Sequence, residues 1–165
     1  MTGRESQQSF GVVPAATLLS YDGLAFLQAI IDGALPAPPI AETLGFTLSE
    51  VGPGRAVFTG TPQRRHYNPI GSVHAGFAAT LLDSAVGCAV HTTCAKGEAY
   101  TTLELKLNLV RALTADIGPV TAEGRVLHRG RTIATADGML RDAAGKLYAH
   151  ATTTCMIFPA KETAA

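Results

Sequence analysis

The segment 75–93 constrains the fold more than any other part of the sequence. Small and apolar residues such as Ala78, Leu82 and Ala85 recur there at helical spacing, and no proline interrupts them over about five turns. Asp83 is the only acidic or basic side chain between residues 75 and 90. A helix this apolar needs cover over most of its surface. The segment therefore predicts one long helix packed against a sheet.

Strand-like runs follow this helix. After Gly97 the hydrophobic period changes to two, so that Leu103, Leu105, Leu107 and Leu109 are predicted to share the inward face of one long strand. Three further strands are predicted over residues 120–128, 132–141 and 147–158, with a turn at 142–145 joining the last two. Consecutive strands with short connections predict an antiparallel sheet, and hence an α+β fold with one sheet around one helix.

The part of the chain before the long helix is predicted to contain a second, short helix. Residues 1–16 form a loose tail, Ser20 or Asp22 caps the short helix, and Gly33 ends it. The three prolines between residues 36 and 39 form an extended connector, because each disfavours helix in the residue before it.

Two strands are predicted between the proline-rich connector and the long helix. The strands are predicted over 43–51 and 55–61, separated by the turn Gly52-Pro53-Gly54. We divide the chain into an N-terminal tail with its short helix (1–35), one domain (36–160) and a C-terminal tail (161–165).

Composition narrows the class of protein and its partners. The chain has 165 residues, the size of one domain, and 47% of them are hydrophobic, which excludes global disorder. Only 16% are charged, against about 25% in an average soluble domain, which suggests that some surface is buried between copies. Thirteen basic residues balance thirteen acidic ones, so neither nucleic acid nor an anionic membrane is an expected partner.

The cysteines and the apolar runs indicate the compartment. Cys88, Cys94 and Cys155 are an odd number without disulfide-framework spacing, which predicts a reducing, cytoplasmic environment. No apolar run is long enough for a membrane span, and Pro14 interrupts the apolar stretch 10–19, so neither a span nor a signal peptide is predicted.

Several common catalytic and binding motifs are absent. The chain has no G-x-S-x-G elbow, no phosphate-binding P-loop, no G-x-G-x-x-G and no H-E-x-x-H, and we expect no cofactor. Cys88, His91 and Cys94 are spaced somewhat like metal ligands, but no fourth ligand accompanies them. We interpret them as two buried thiols and a histidine near the helix end, and predict no metal site.

A stripe of small and polar residues runs along the long helix. Gly76, Thr80, Asp83 and Gly87 lie on one face at i, i+4, i+7 and i+11. Each glycine costs about 1 kcal/mol relative to alanine in a helix, so we expect a ligand or a partner chain to approach the backbone here. A carboxylate on this stripe would be partly desolvated, which favours a role as general base or nucleophile.

The start of the same helix offers a complementary feature. Free N–H groups near Ala75 and Gly76, together with the helix dipole, can stabilise a developing oxyanion. Asp83 lies eight residues further, about 12 Å along the helix axis. One chain therefore cannot easily bring both features to one substrate carbon, and we expect a homo-oligomer in which two copies share a site.

The motif N-x5-H-[GA]-G-x6-D, carried by Asn68, His74, Gly76 and Asp83, resembles that of the hotdog-fold acyl-CoA thioesterases of the phenylacetate-degradation (PaaI-like) type. The resemblance extends over about residues 40–158 in motif and in element order. It implies a curved antiparallel sheet around the long helix, two protomers that form a continuous sheet with two shared active sites, and dimers that often pair into tetramers. It also implies an acyl-CoA substrate.

The resemblance implies a role for each motif residue. Asp83 activates water or attacks the thioester directly, and the N–H of Ala75 from the other subunit polarises the carbonyl. Asn68 hydrogen-bonds near the carbonyl or the water, while His74 shapes the loop and contacts the thioester end. Two positions depart from the family: glycine is usual where this chain has Ala75, and some members have Thr or Ser where it has Gly87.

The resemblance also implies a contact with coenzyme A at the turn His128-Arg129-Gly130-Arg131-Thr132. Arg129 and Arg131, with Gly130 and Thr132 between and beside them, are candidate partners of its phosphates, because a guanidinium matches phosphate oxygens with paired donors. Which arginine faces the ligand is open at this stage.

Two other functions and the nature of the acyl group stay open. A hotdog-fold enoyl-CoA hydratase would use His74 and Asp83 as acid and base, and an acyl-CoA-binding protein without turnover would be compatible with Ala75 and Gly87. Aromatic and medium-chain acyl groups are both compatible with the sequence, as are a homodimer and a homotetramer.

Overall fold

The computed structural model describes residues 8–160 as four helices, six strands and two short 3-10 turns. The helices are α1 (Ala15–Ser20), α2 (Gly23–Ile31), α3 (Pro39–Leu44) and α4 (Ala75–His91). The strands are β1 (Phe46–Gly52), β2 (Arg55–Gly60), β3 (Glu98–Leu109), β4 (Val120–Arg129), β5 (Ile133–Asp142) and β6 (Leu147–Pro159). The predicted tail 161–165 and the first seven residues of the N-terminal tail lie outside the described residues.

The six strands form one antiparallel sheet in the order β1-β2-β4-β5-β6-β3, and α4 lies across one of its faces. The α4 residues that face the sheet are completely buried, namely Ala78, Leu81, Leu82, Ala85, Val86, Ala89 and Val90. The predicted α+β hotdog fold, with a helix before the domain, is therefore confirmed. Among residues 8–160 no helix is long and apolar enough to cross a membrane.

The proline-rich segment differs from the prediction. An extended connector leading directly into a strand at residue 43 was expected, but residues Pro39–Leu44 form α3 and β1 begins only at Phe46. Pro39 is the first residue of this helix, a position where the missing N–H of proline removes no hydrogen bond. The loose tail was also predicted too long, because α1 begins at Ala15.

The leucine alternation on β3 is only half correct. Leu105 and Leu107 pack against the core, but Leu103 is 54% exposed and Leu109 is 50% exposed. The register with β6 shifts between Thr102 and Glu104, so Leu103 is the extra residue of a β-bulge and drops out of the alternation. Leu109 is the last residue of the strand.

Two paired glycines set the distance between helix and sheet. Gly124 of β4 and Gly138 of β5 are opposite each other in the sheet. A Cβ on Gly124 would lie 2.3 Å from the carbonyl oxygen of Ala85, and one on Gly138 would lie 2.7 Å from Val86. Helix α4 therefore rests directly on the backbone of the sheet.

Helix α2 is fastened to the end of α4. Asp22 caps α2 as predicted, accepting a hydrogen bond of 2.8 Å from the N–H of Ala25. The imidazole of His91 lies between the rings of Phe26 (5.4 Å) and Tyr100 (5.3 Å), which joins α2, α4 and β3 in one aromatic stack. The N-terminal helix is thus packed on the domain at the end of α4.

Replacing Gly124 by alanine should destabilise the fold. The added methyl group would overlap the carbonyl of Ala85, and overpacking of this kind costs about 1–3 kcal/mol. Urea unfolding followed by circular dichroism measures the change. Gly52→Ala is the matched control, since a Cβ there meets no atom within 4 Å. Equal midpoints for the two variants would contradict the close helix–sheet contact.

The aromatic stack also predicts a pH dependence of stability. Burial lowers the pKa of His91 from 6.5 to about 4, so between these values the unfolded chain binds a proton that the folded chain does not. The free energy of unfolding should fall as the pH drops from 6.5 to about 4. His91→Phe keeps a ring in the stack and should make this fall shallower. The same slope in His91→Phe and in the exposed-site control His128→Gln would refute this role of His91.

Candidate active site

The first turn of α4 is fixed by its own cap and by the loop before it. His74 is the N-cap residue, and its Nδ1 accepts a hydrogen bond of 2.9 Å from the N–H of Gly76. The backbone N–H of His74 donates to the carbonyl of His66 at 2.7 Å, and that of Val73 donates to Leu113 at 3.0 Å. The helix therefore starts at a position fixed by two separate segments.

This capping leaves one backbone donor of the first turn free. The N–H of Gly76 donates to the side chain of His74 and that of Phe77 donates to its carbonyl, whereas the N–H of Ala75 donates to no protein atom within residues 8–160. No residue other than glycine has a positive φ in the described part of the chain, so alanine at position 75 adds no backbone strain. Ala75 can serve as an oxyanion donor in the same way as a glycine.

Asn68 holds the loop that precedes the helix. Its Oδ1 accepts from the N–H groups of Ile70 (3.1 Å) and Ser72 (3.2 Å), and its Nδ2 donates to the hydroxyl of Ser72 at 3.0 Å. Gly71 completes the turn with a φ of +89°. In this conformation the amide of Asn68 shapes the loop from within.

Three of the predicted site residues meet at one cavity, which we call the helix-start cavity. It has a volume of about 350 Å³ and is lined by Asn68, His74 and Ala75 on one side. Leu109 and Arg111, at the end of β3 and just beyond it, line the other side. Neither Gly76 nor Asp83 lines it.

Asp83 lies two turns along α4 and belongs to a different environment. Its side chain is half-buried, and Oδ1 accepts a hydrogen bond of 3.3 Å from the hydroxyl of Thr102 on β3. Asp83 is about 12 Å from Ala75 along the helix axis, so a single chain does not bring the carboxylate and the free N–H to one point.

The two glycines of the helix stripe have explanations within the chain. A Cβ on Gly87 would lie 3.0 Å from the hydroxyl of Tyr100, and one on Gly76 would lie 3.0 Å from Nδ1 of His74. These contacts account for the two glycines within the chain, and the approach of a ligand or partner to the backbone there stays a prediction. Tyr100 fills the space where some family members have a Thr or Ser side chain.

The two arginines of the β4–β5 turn have different surroundings. Arg129 forms an ion pair of 2.8 Å with Glu98, and its guanidinium also donates to the carbonyl of Gly130. Arg131 is exposed and forms no ion pair within residues 8–160. Thr132 is also exposed, and its carbonyl accepts from the N–H of Ile157 at 2.8 Å.

We interpret Cys88, Cys94 and His66 as structural residues. Burial raises the pKa of Cys88 to about 12 and that of Cys94 to about 11, so both thiols stay protonated at neutral pH. No group of three His, Cys, Asp or Glu side chains within the described residues could hold a metal ion. His66 is buried and stacks on Phe77 at 4.6 Å, where burial lowers its pKa.

Thr102 is the site residue that sequence reasoning missed. It lies just before the leucine run on β3, and nothing in its local sequence distinguishes it from the other threonines of the strands. Its contact with Asp83 joins residues 19 positions apart. Only the packing of β3 against α4 could have identified it.

Comparison with known proteins places these features in a family context. A profile of the thioesterase superfamily matches residues 70–149. The chain is similar to a phenylacetic acid degradation-related protein of Ralstonia eutropha JMP134, with 31% sequence identity and a TM-score of 0.72 over 79% of this chain and 98% of that protein. A search of curated protein sequences found no match.

Two other solved structures are similar. A thioesterase family protein of Silicibacter pomeroyi is 26% identical, with a TM-score of 0.71 over 81% of this chain and 99% of that one. A protein of Streptococcus mutans UA159, bound to acetyl-CoA, is 24% identical, with a TM-score of 0.63 over 70% of this chain and 90% of that one. The latter similarity is one of fold.

Proposed function

The chain belongs to the thioesterase superfamily and is a thioester hydrolase, and we propose that it cleaves an acyl-CoA to a free acid and CoA at a site shared by two copies of the chain. The observation that carries this proposal is the free N–H of Ala75 at the start of α4, next to a cavity that also contains Asn68 and His74. A donor of this kind stabilises the oxyanion that forms when a thioester carbonyl is attacked.

Asp83 supplies the attacking group in this proposal. As a base it takes a proton from water, whose oxygen bonds to the carbonyl carbon; as a nucleophile its own oxygen makes that bond. In either case the carbon–sulfur bond then breaks, and the thiolate of CoA leaves and takes up a proton. In the nucleophilic case the acyl group is then bound to Asp83 as an anhydride, which a water molecule hydrolyses to release the free acid and restore the carboxylate. Thr102 holds one carboxylate oxygen of Asp83 by its hydrogen bond, and the other oxygen, which accepts no hydrogen bond from residues 8–160, is the one that reacts.

Two copies of the chain would complete each site. The N–H of Ala75 and the carboxylate of Asp83 are too far apart on one helix to act on the same carbon. Strand β3 is a twelve-residue edge strand, and no other described strand pairs with its outer side. Long exposed edges are normally covered in natural proteins, so we propose that β3 pairs with β3 of a second copy in a homodimer, which could stand alone or be half of a homotetramer.

Arg131 is the proposed contact for the nucleotide part of CoA. Its guanidinium is exposed and unpaired among residues 8–160, whereas that of Arg129 is held by Glu98. Gly130 and Thr132 shape the turn that carries it. The Streptococcus mutans protein of the same fold binds acetyl-CoA, which supports a CoA ester as the substrate.

The hydratase alternative has less support from the geometry. It requires an acid and a base that move a proton and add water across a double bond, the two roles that His74 and Asp83 would have to fill. The Nδ1 atom of His74 is, however, engaged by the N–H of Gly76.

The three free cysteines fit a cytoplasmic location, which we propose for the reaction.

Asp83→Asn should lower kcat at least about 100-fold, because groups that act as general base contribute 10² to 10⁴. Release of free thiol from acyl-CoA substrates measures the rate.

Ala75→Pro should also remove activity, since it deletes the N–H at a helix position that accepts proline. The extended backbone of His74 (φ −60°, ψ 139°) is compatible with a following proline. Ala75→Gly, which keeps the N–H, is the matched control.

Mixing the two inactive variants tests whether the site is shared. A dimer with one Asp83→Asn chain and one Ala75→Pro chain has one intact site and one doubly defective site. After complete exchange of subunits, activity should return to about a quarter of the wild-type level. No recovery, with mixed dimers verified by mass spectrometry, would show that each site belongs to one chain. Full activity of Asp83→Asn alone would remove Asp83 from the mechanism.

Arg131→Ala should raise KM for acyl-CoA about tenfold through the loss of a charge-assisted phosphate contact. The same acyl group on N-acetylcysteamine, which lacks the nucleotide, should be hydrolysed with unchanged KM. Arg64→Ala, at another exposed arginine, is the matched control. Equal changes in KM for both thioesters would show that Arg131 does not contact the nucleotide.

A further inference from the structure

A second cavity, which we call the N-terminal cavity, lies between the N-terminal segment and the body of the domain. Its volume is about 370 Å³. One side is formed by residues 11–13 and Leu18, by α2 and by the proline-rich segment 36–41, and the other by Leu48, Phe58 and Tyr100. Apart from His91, no acidic or basic side chain is found among the described residues that line it. Burial lowers the pKa of His91 to about 4, so this wall is uncharged at neutral pH.

Asp83 does not line the N-terminal cavity but is connected to it through β3. Tyr100 lines the cavity, and Thr102, two residues further on the same face of β3, donates the hydrogen bond to Asp83. On α4 the cavity is lined by Cys88, five residues after Asp83, and Tyr100 lies over Gly87 between them. A chain attached to a carbonyl carbon at Asp83 can therefore enter the cavity past Tyr100.

The cover of this cavity is lightly attached. Helix α1 has no buried residue, although Leu18 on it lines the cavity. Two backbone hydrogen bonds hold the segment before it, from Gly11 N–H to Ala37 (2.9 Å) and from Ala37 N–H to Ser9 (2.8 Å). Segments with few buried contacts open at low free-energy cost, so α1 can move to admit a chain.

We propose that the N-terminal cavity binds the acyl chain of the thioester substrate, and that this chain is an aliphatic one of medium length. The inference rests on the proposed function and names its substrate class. A dry cavity of about 150 Å³ lined by apolar side chains holds benzene. The N-terminal cavity has more than twice that volume, which suits a chain of roughly eight to twelve carbons better than a single aromatic ring.

Binding of non-hydrolysable thioethers tests the inference without turnover. S-ethyl-CoA and S-decyl-CoA share the nucleotide and differ only in the alkyl chain. By titration calorimetry, affinity should rise roughly fourfold for each buried methylene. Leu18→Trp places an indole in the cavity and should remove at least about tenfold of the preference for S-decyl-CoA over S-ethyl-CoA. Val13→Trp, from another part of the cover, should do the same and stands in if Leu18→Trp does not fold.

Leu19→Trp is the control, because Leu19 lies on the same helix and does not line the cavity. Equal affinity of the wild type for the two thioethers, or an equal loss of preference in Leu19→Trp, would overturn the inference. Asp83-dependent hydrolysis without a chain-length preference would leave the proposed function standing and remove only the acyl site. A chain-length preference in binding, without hydrolysis of any acyl-CoA, would keep the acyl site and remove the proposed function.

Discussion

The contact between the backbone of α4 and the backbone of the sheet sets the position of everything else in this molecule. At Gly124 no side chain separates the carbonyl of Ala85 from β4, so the helix cannot move closer and has no reason to lie further away. Because the side chains on both sides of this contact are densely packed, the position of α4 on the sheet is fixed. The first turn of α4, its central carboxylate and its last turn are then carried to three fixed places around the domain.

The first, middle and last turns of α4 differ in chemistry because each is in contact with different residues. At the first turn, His74 accepts from the N–H of Gly76, while that of Ala75 has no acceptor among residues 8–160. In the middle, Thr102 engages Asp83 from the neighbouring strand. At the last turn, His91 is enclosed between Phe26 and Tyr100, where a charge would be costly. A polar donor, a held carboxylate and an apolar end therefore follow one another along a single helix.

The features that the sequence predicted are those that local rules determine. The start of α4 at Ala75, the cap at Asp22 and the hairpin between β5 and β6 each depend on residues a few positions apart. The motif at Asn68, His74 and Asp83 was found because its spacing resembles that of a known family. Pro39 shows the limit of a local rule, because the same residue both discourages helix before it and begins one well.

What the sequence could not show depends on contacts between distant segments. The ion pair of Arg129 with Glu98 and the hydrogen bond of Thr102 with Asp83 each join two elements whose separation in sequence carries no signal. The packing of Tyr100 against the backbone of Gly87 is a third contact of this kind. The N-terminal cavity is likewise formed only when three separate segments meet over the sheet.

The bulge at Leu103 has a consequence for the face that β3 turns toward the helix. Along a regular strand, residues separated by an odd number of positions point to opposite sides, so Thr102 and Leu105 would not share a face. The extra residue restores their phase, and the half of the strand that meets Asp83 and the half that packs in the core point the same way. If residue 103 were deleted, the strand could keep Leu105 and Leu107 buried or keep Thr102 beside Asp83, but not both.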